Sequence, residues 1–171
     1  VEEAWIGDRG YARGGGGGWQ SYALAFLGEV TTTTTTTTTR ESSDDNNDDD
    51  EKTKMMELFI LDLPEDVIAL REATGPRTPL QGTSTTRPRP PHGVSQRRLT
   101  DTSRRKRPGL CQGGGGGGGG GIGGPRFWPR SSRCGSVIAV VAPDEDGVPQ
   151  LYTVRTAGAR DEPLRQVTRL P

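Results

Sequence analysis

The stretch SVIAVVAPDEDGVPQLYTVRTAGARDEPLRQVTRLP, residues 136–171, decides how this chain folds. Residues 137–141 are five apolar side chains in a row, most of them β-branched. Such a run suits a strand covered on both faces. PDEDG follows, with Asp and Gly where a tight turn needs them. QLYTVR, residues 150–155, is a second run of strand formers. TAGARDEP interrupts it, and RQVT at 165–168 reads as a third short strand. Just upstream, RFWP at 126–129 supplies a fourth. Four short strands joined by tight turns within about 45 residues make a meander.

Outside this stretch the chain carries little core material. Apolar residues make up 29% of the 171, against roughly 45–50% in ordinary globular domains. Residues 14–18 and 113–121 are all glycine, and 31–39 are all threonine. Ordering a residue costs roughly 1–2 kcal/mol, and a glycine tract has no side chains whose burial would offset that. Such tracts are expected to be flexible spacers. The acidic run at 40–52 and the basic run at 97–107 repel themselves and are expected to be disordered. Four segments result. They are a Gly-rich opening at 1–21 and a degenerate patterned unit at 22–83 with a Thr/Asp-rich insert at 31–56. A disordered basic and poly-Gly linker at 84–124 and the patterned unit at 125–171 follow.

The earlier apolar islands repeat part of the final pattern. LAFLGEV at 24–30 parallels IAVVAPD at 138–144, with Ala25 and Ala139 as the small residues between large ones. ELFILDL at 57–63 parallels QLYTVRT at 150–156, each reading polar, Leu, aromatic, any, aliphatic. The simplest account is two related hairpins, the first expanded at its loop tip. Insertions are tolerated there because closure entropy grows slowly with loop length.

FWPRSSRCGSVIAVVAPDEDGVPQLYTVRTAGARDEPLRQVTRLP resembles one blade repeat of the TolB-like (WD40-like) β-propellers. Such repeats run roughly W-S-P-D-G, I-A-F, a D-G turn, Q-L-Y-x-V and R-Q-L-T. Trp128 with Pro129 and Gly135 stand for the first element, and Ile138, Ala139 and Val140 for the second. Asp146 and Gly147 make the turn. Gln150, Leu151, Tyr152 and Val154 supply the next strand, and Arg165, Gln166, Val167 and Thr168 the last. The resemblance is best over 125–171 and looser over 22–30 plus 57–64. Two departures are visible. The first turn lacks its Asp and is lengthened by 130–134, and the first unit has only RTPLQGT at 77–83 as a poor R-Q-L-T strand.

Related repeats build the propellers of tricorn and prolyl-oligopeptidase-type peptidases. The resemblance therefore implies an all-β fold: one or two incomplete β-propeller blades separated by disordered low-complexity segments. Propellers close with typically about 4–8 blades. The chain is thus expected to be a fragment, its partners being further blades or a protein or peptide. Its opening Val in place of Met points the same way.

The remaining signals add little chemistry. Lys+Arg and Asp+Glu are 22 each, so no net field draws the chain to nucleic acid or to a membrane. No apolar run approaches the ~18–20 residues a bilayer span needs. Cys111 and Cys134 have no C-x-x-C spacing and His92 is the only histidine, too few ligands for zinc. No metal or cofactor is expected, and the thiols read as free. ILDLPEDVIALREATG has a capping-box look at Asp62 and Glu65 with Pro64 in the first turn, the start of a short helix. LPEDVI also resembles the opening of an F-box, but residues 78–91 cannot supply the further helices.

RRLTDTSRRKR, with Arg104, Arg105, Lys106 and Arg107, reads as a basic signal for nuclear import or nucleic acid. No aromatic is interleaved for base stacking, and Thr100 has the look of a basophilic kinase site. No G-x-S-x-G elbow, G-x-x-x-x-G-K-[ST] loop or HExxH is present. The reading is a non-catalytic propeller fragment that binds or gates peptides, any peptidase activity lying elsewhere. The alternative is a largely disordered interaction protein whose segment 97–107 binds nucleic acid or an importin. The sequence does not fix a location; a cytoplasmic one is favoured over a nuclear one.

Overall fold

The computed structural model describes residues 3–33, 52–66, 93–112, 127–158 and 162–171. Asp62, read as the cap of a short helix, lies instead in a strand, and Pro64–Asp66 are not helical. The rest of that candidate helix, the RTPLQGT segment, His92, the nine-glycine tract and most of the Thr/Asp insert lie outside the described residues. Among the described residues the structure is all-β, with one 3-10 turn at Gly14–Gly16. The strands are β1 (Glu3–Trp5), β2 (Tyr11–Ala12), β3 (Trp19–Gln20), β4 (Tyr22–Thr33) and β5 (Lys52–Leu63). They continue with β6 (Ser95–Arg98), β7 (Arg130–Ser131), β8 (Val137–Pro143), β9 (Pro149–Arg155) and β10 (Arg165–Gln166).

These strands make two four-stranded antiparallel sheets of the same plan. The first runs β1-β4-β5-β6 and the second β7-β8-β9-β10, with β2 and β3 as a separate two-stranded ribbon. None closes on itself. In the first sheet Phe26 lies opposite Phe59 and Ala25 opposite Ile60. In the second, Val140 lies opposite Tyr152 and Ala139 opposite Thr153. The hairpin correspondence legible in the sequence is thus also a correspondence of register.

The faces the two sheets bury are opposite ones. Strand side chains alternate between faces. In the first sheet Ala23, Ala25 and Leu27 are buried with Leu58 and Ile60. Leu24, Phe26, Phe59 and Leu61, on the other face, are only half-buried. In the second sheet Ile138, Val140, Tyr152 and Val154 are buried, and these are the register equivalents of that half-buried set. The sheets meet across one apolar core that also takes in Ile6, Tyr11, Leu99 and Leu110. Small residues on the first sheet leave room for larger ones on the second, as close packing requires.

Several expectations need correction. Residues 137–141 are not covered equally on both faces: burial alternates strictly along β8, and Val137, Ala139 and Val141 on its outer side are only half-buried. The upstream strand is Arg130–Ser131 rather than RFWP, and Trp128 precedes it, 38% exposed. The Gly-rich opening contributes β1 to the first sheet and the ribbon of β2 and β3. Strands β4 and β5 run on to Thr33 and from Lys52, so paired strand takes both ends of the supposed insert. The outer strand of the first sheet is Ser95–Arg98, drawn from the supposed linker. Residues 93–112 as a whole pack onto the sheets. Charge alone argues for a linker there; four buried side chains, Leu99, Thr100, Thr102 and Leu110, anchor the segment instead.

Candidate binding surfaces

Glu57 is fully buried near the middle of β5. Its carboxylate accepts from Arg98 Nη2 at 3.0 Å, from Thr102 N at 2.8 Å, from Thr102 Oγ1 at 2.6 Å and from Thr100 Oγ1. Thr100 Oγ1 in turn accepts from Leu58 N at 2.9 Å. Burying a carboxylate is costly unless its lone pairs are filled, and here they are filled by one neighbouring segment. Gln150 does the same work in the second sheet. Its Oε1 accepts from Thr168 Oγ1 and Leu170 N, each at 2.9 Å, while Thr168 Oγ1 accepts from Leu151 N at 2.9 Å. RRLT at 97–100 is therefore the counterpart of RQVT at 165–168, and that likeness was the signal the linker reading overlooked. Thr100, 1% exposed, is out of reach of a kinase.

The segment after Thr100 straps the sheets together. Leu110 N donates to Met56 O and Cys111 N to Val141 O, both at 2.8 Å. Within this strap Arg105 is held against the second sheet. Its Nη2 donates to Pro143 O at 2.8 Å and to Tyr152 Oη at 2.9 Å, and its guanidinium carbon stands 4.7 Å from the Tyr152 ring centre. Arg104, Lys106 and Arg107 are exposed. With Arg105 they form one wall of a cleft of about 730 Å³. Asp144, Glu145 and Asp146 form another wall, and Gln166 and Arg169 reach it from the chain's last residues. Asp144 is committed to its turn. Its carboxylate accepts from Gln150 Nε2 at 3.0 Å, from Val148 N at 2.9 Å and from Asp146 N at 3.0 Å. Those bonds, the Gln150 amide first, hold its pKa below the usual value.

The residues expected to form the repeat motif are split between core and surface. Ile138, Tyr152 and Val154 are core, while Ala139 and Leu151 lie half-buried on the outer face of the second sheet. Gly147 adopts φ 93°, the left-handed geometry its turn needs, beside exposed Asp146. Thr168 closes the Gln150 knot, and Gln166 is exposed, its Nε2 donating to Thr168 O at 2.8 Å.

A second concave surface, of about 500 Å³, is lined in part by Trp5, Trp19 and Tyr22. These are 60%, 51% and 44% exposed, so the open face of the first sheet continues into an aromatic patch. A partly buried chain of polar contacts ties the sheets together. Tyr11 Oη donates to Asp62 Oδ1 at 2.9 Å and accepts from Arg97 Nη2 at 3.3 Å, and Arg97 also donates to Thr156 O. Burial pushes the Tyr11 pKa up against the pull of Arg97.

Cys111 and Cys134 are free thiols. Exposed Cys134 lies 3.0 Å from Ser136 Oγ and 3.5 Å from Ser132 Oγ, and these hydroxyls, Ser136 first, lower its pKa to about 7. Burial pushes the Cys111 thiol up. Among the described residues no cluster of His, Cys, Asp and Glu is arranged to hold a metal ion, and no helix is long and apolar enough to cross a membrane.

No family model matches the chain, and no solved structure matches it. Among curated proteins it is similar to the uncharacterized protein YidR of Escherichia coli strain K12, 34% identical over 163 residues. The match takes in 95% of this chain and 29% of the relative, so the chain spans less than a third of the curated protein it matches.

Proposed function

We propose that the chain is a two-blade segment of a β-propeller and serves as a non-catalytic scaffold that binds or gates proteins or peptides. The observation that carries this reading is the reciprocity of the sheet faces. Each sheet buries one face in the shared core and leaves only half-buried the apolar counterparts of the residues its neighbour buries. Stacking of that kind runs in one direction and continues with each added repeat. Two sheets within 29% of the relative's length correspond to about seven over its whole length, inside the range of about 4–8 for propellers. The role in binding comes from the TolB-like resemblance and from the exposed cleft and aromatic patch. The packing of residues 97–110 against both sheets weighs against a free basic tail.

Two measurements test this. A random peptide library is panned on the purified chain, and the recovered peptides are incubated with it. Enriched peptides with micromolar Kd that stay uncut are expected. Cleavage overturns the non-catalytic assignment, and failure to enrich any peptide overturns the binding role. The architecture is tested by solving the full-length E. coli relative. A ring of four-stranded sheets is expected, whereas two sheets flanked by unrelated domains would rule the propeller out.

A further inference from the structure

We infer that the cleft between Arg104–Arg107 and the Asp144–Asp146 turn is a peptide site selective for a short acidic segment, a local pair of carboxylates and not a continuous polyanion. The inference rests on the peptide-binding reading above and adds the chemistry of the peptide. The cleft's volume, about 730 Å³, lies within the ~300–1,000 Å³ of ordinary ligand sites.

Its basic wall is preorganised. Arg105 is pinned by Pro143 O and by Tyr152, which fixes the backbone that presents its neighbours. Rigid presentation lowers the entropy cost of binding. Arg104, Lys106 and Arg107 have no ion-pair partner among the described residues, although acidic side chains line the same cleft. Arg105 Nη1 is buried with no acceptor among the described residues, a donor they leave unfilled.

The acidic residues of the lining decide between anions. Glu145 and Asp146 are exposed and repel negative charge laid across the cleft. A nucleic-acid backbone carries charge at every phosphate and would meet them. Two adjacent carboxylates face the Arg wall alone, while a lysine or backbone N–H of the same peptide meets the acidic wall. Tyr152, the aromatic of the cleft, is 5% exposed and covered by Arg105, so it offers no face on which a base could stack.

The test is fluorescence anisotropy with a short labelled peptide carrying two adjacent glutamates beside a lysine, with its glutamine counterpart, and with labelled oligo-dT. Tight binding of the glutamate peptide, weakened by salt and at least about tenfold weaker for the glutamine peptide, is expected. Arg104→Glu, Lys106→Glu and Arg107→Glu together should remove that preference while the far-ultraviolet circular dichroism stays unchanged. Glu145→Lys with Asp146→Lys should tighten the glutamate peptide and admit oligo-dT. Equal binding of the two peptides overturns the acidic selectivity and leaves the peptide-binding reading intact. Failure of both, with library binders seated elsewhere, removes the cleft as the site. Tighter binding of oligo-dT by the unmodified chain makes it a nucleic-acid site instead.

Discussion

Glu57 and Gln150 hold the same position in the two sheets: each lies one residue before a leucine whose backbone N–H is taken by a threonine, and each accepts from that threonine's hydroxyl. The first knot is charged and the second neutral. Glu57→Ala should cost about 3–5 kcal/mol, because it strands Arg98, Thr100 and Thr102 in a buried site. Glu57→Gln restores the acceptor of the second knot and should cost less, about 1–3 kcal/mol. Urea melts of the two variants check the order.

Arg105 is part of the packing and its neighbours are not. Arg105→Ala should lower stability by about 1–3 kcal/mol through loss of its bonds to Pro143 O and Tyr152. Arg104→Ala and Arg107→Ala should fall within about 0.5 kcal/mol of the unaltered chain. Thermal melts of the three single variants separate the two outcomes.

Gly135 sits at φ 71° where the N-terminal segment crosses the second sheet, and a Cβ there would lie 2.0 Å from Gly10 O. Both the strain and the clash involve backbone. Gly135→Ala should therefore cost more than about 2 kcal/mol and part Gly7 and Asp8 from their partners Ser131 and Arg133. Amide exchange at Gly7 and Asp8 reports it, and unchanged protection there would contradict it.

Cys134 should alkylate well before Cys111. The thiolate is the reactive form, and the Ser136 and Ser132 hydroxyls bring the Cys134 pKa to about 7 at an exposed site, while burial raises that of Cys111. Iodoacetamide labelling followed by mass spectrometry should show Cys134 half-maximal near pH 7. Ser136→Ala should shift that midpoint upward.

Asp144 gives the second hairpin an acid-sensitive element. Its folded pKa is depressed, the Gln150 amide being the main cause, so its contribution is present above the ordinary carboxylate pKa of about 3.9 and is lost as pH falls through the lower folded value. The stability gap between the unaltered chain and Asp144→Asn should narrow between about pH 5 and pH 3 in urea melts.

Strand type was the most legible feature. The β-branched run of β8, the PDEDG turn and the alternation of β9 place this hairpin from local physics alone, and the aligned islands LAFLGEV and ELFILDL place the other. Segment 93–112 was misread because its density of basic charge argues for disorder. What holds it is a few side chains, Leu99, Thr100, Thr102 and Leu110, whose partners Glu57 and Met56 lie about 40 or more residues away in sequence. The strand at Arg130–Ser131 was misplaced for a similar reason: two residues of pairing leave no periodicity to read.

The sequence by itself determined which stretches become strands and that two hairpins share one pattern, because turn chemistry and side-chain alternation act over neighbouring residues. Only the tertiary structure decided which face of each strand is buried. Equivalent residues such as Phe26 and Val140 differ in burial because one sheet has a neighbour on that side and the other does not. The cleft is likewise a tertiary product. Its basic wall follows the first sheet and its acidic turn belongs to the second, and the two come together only when Ala25 and Ile138 enter the same core.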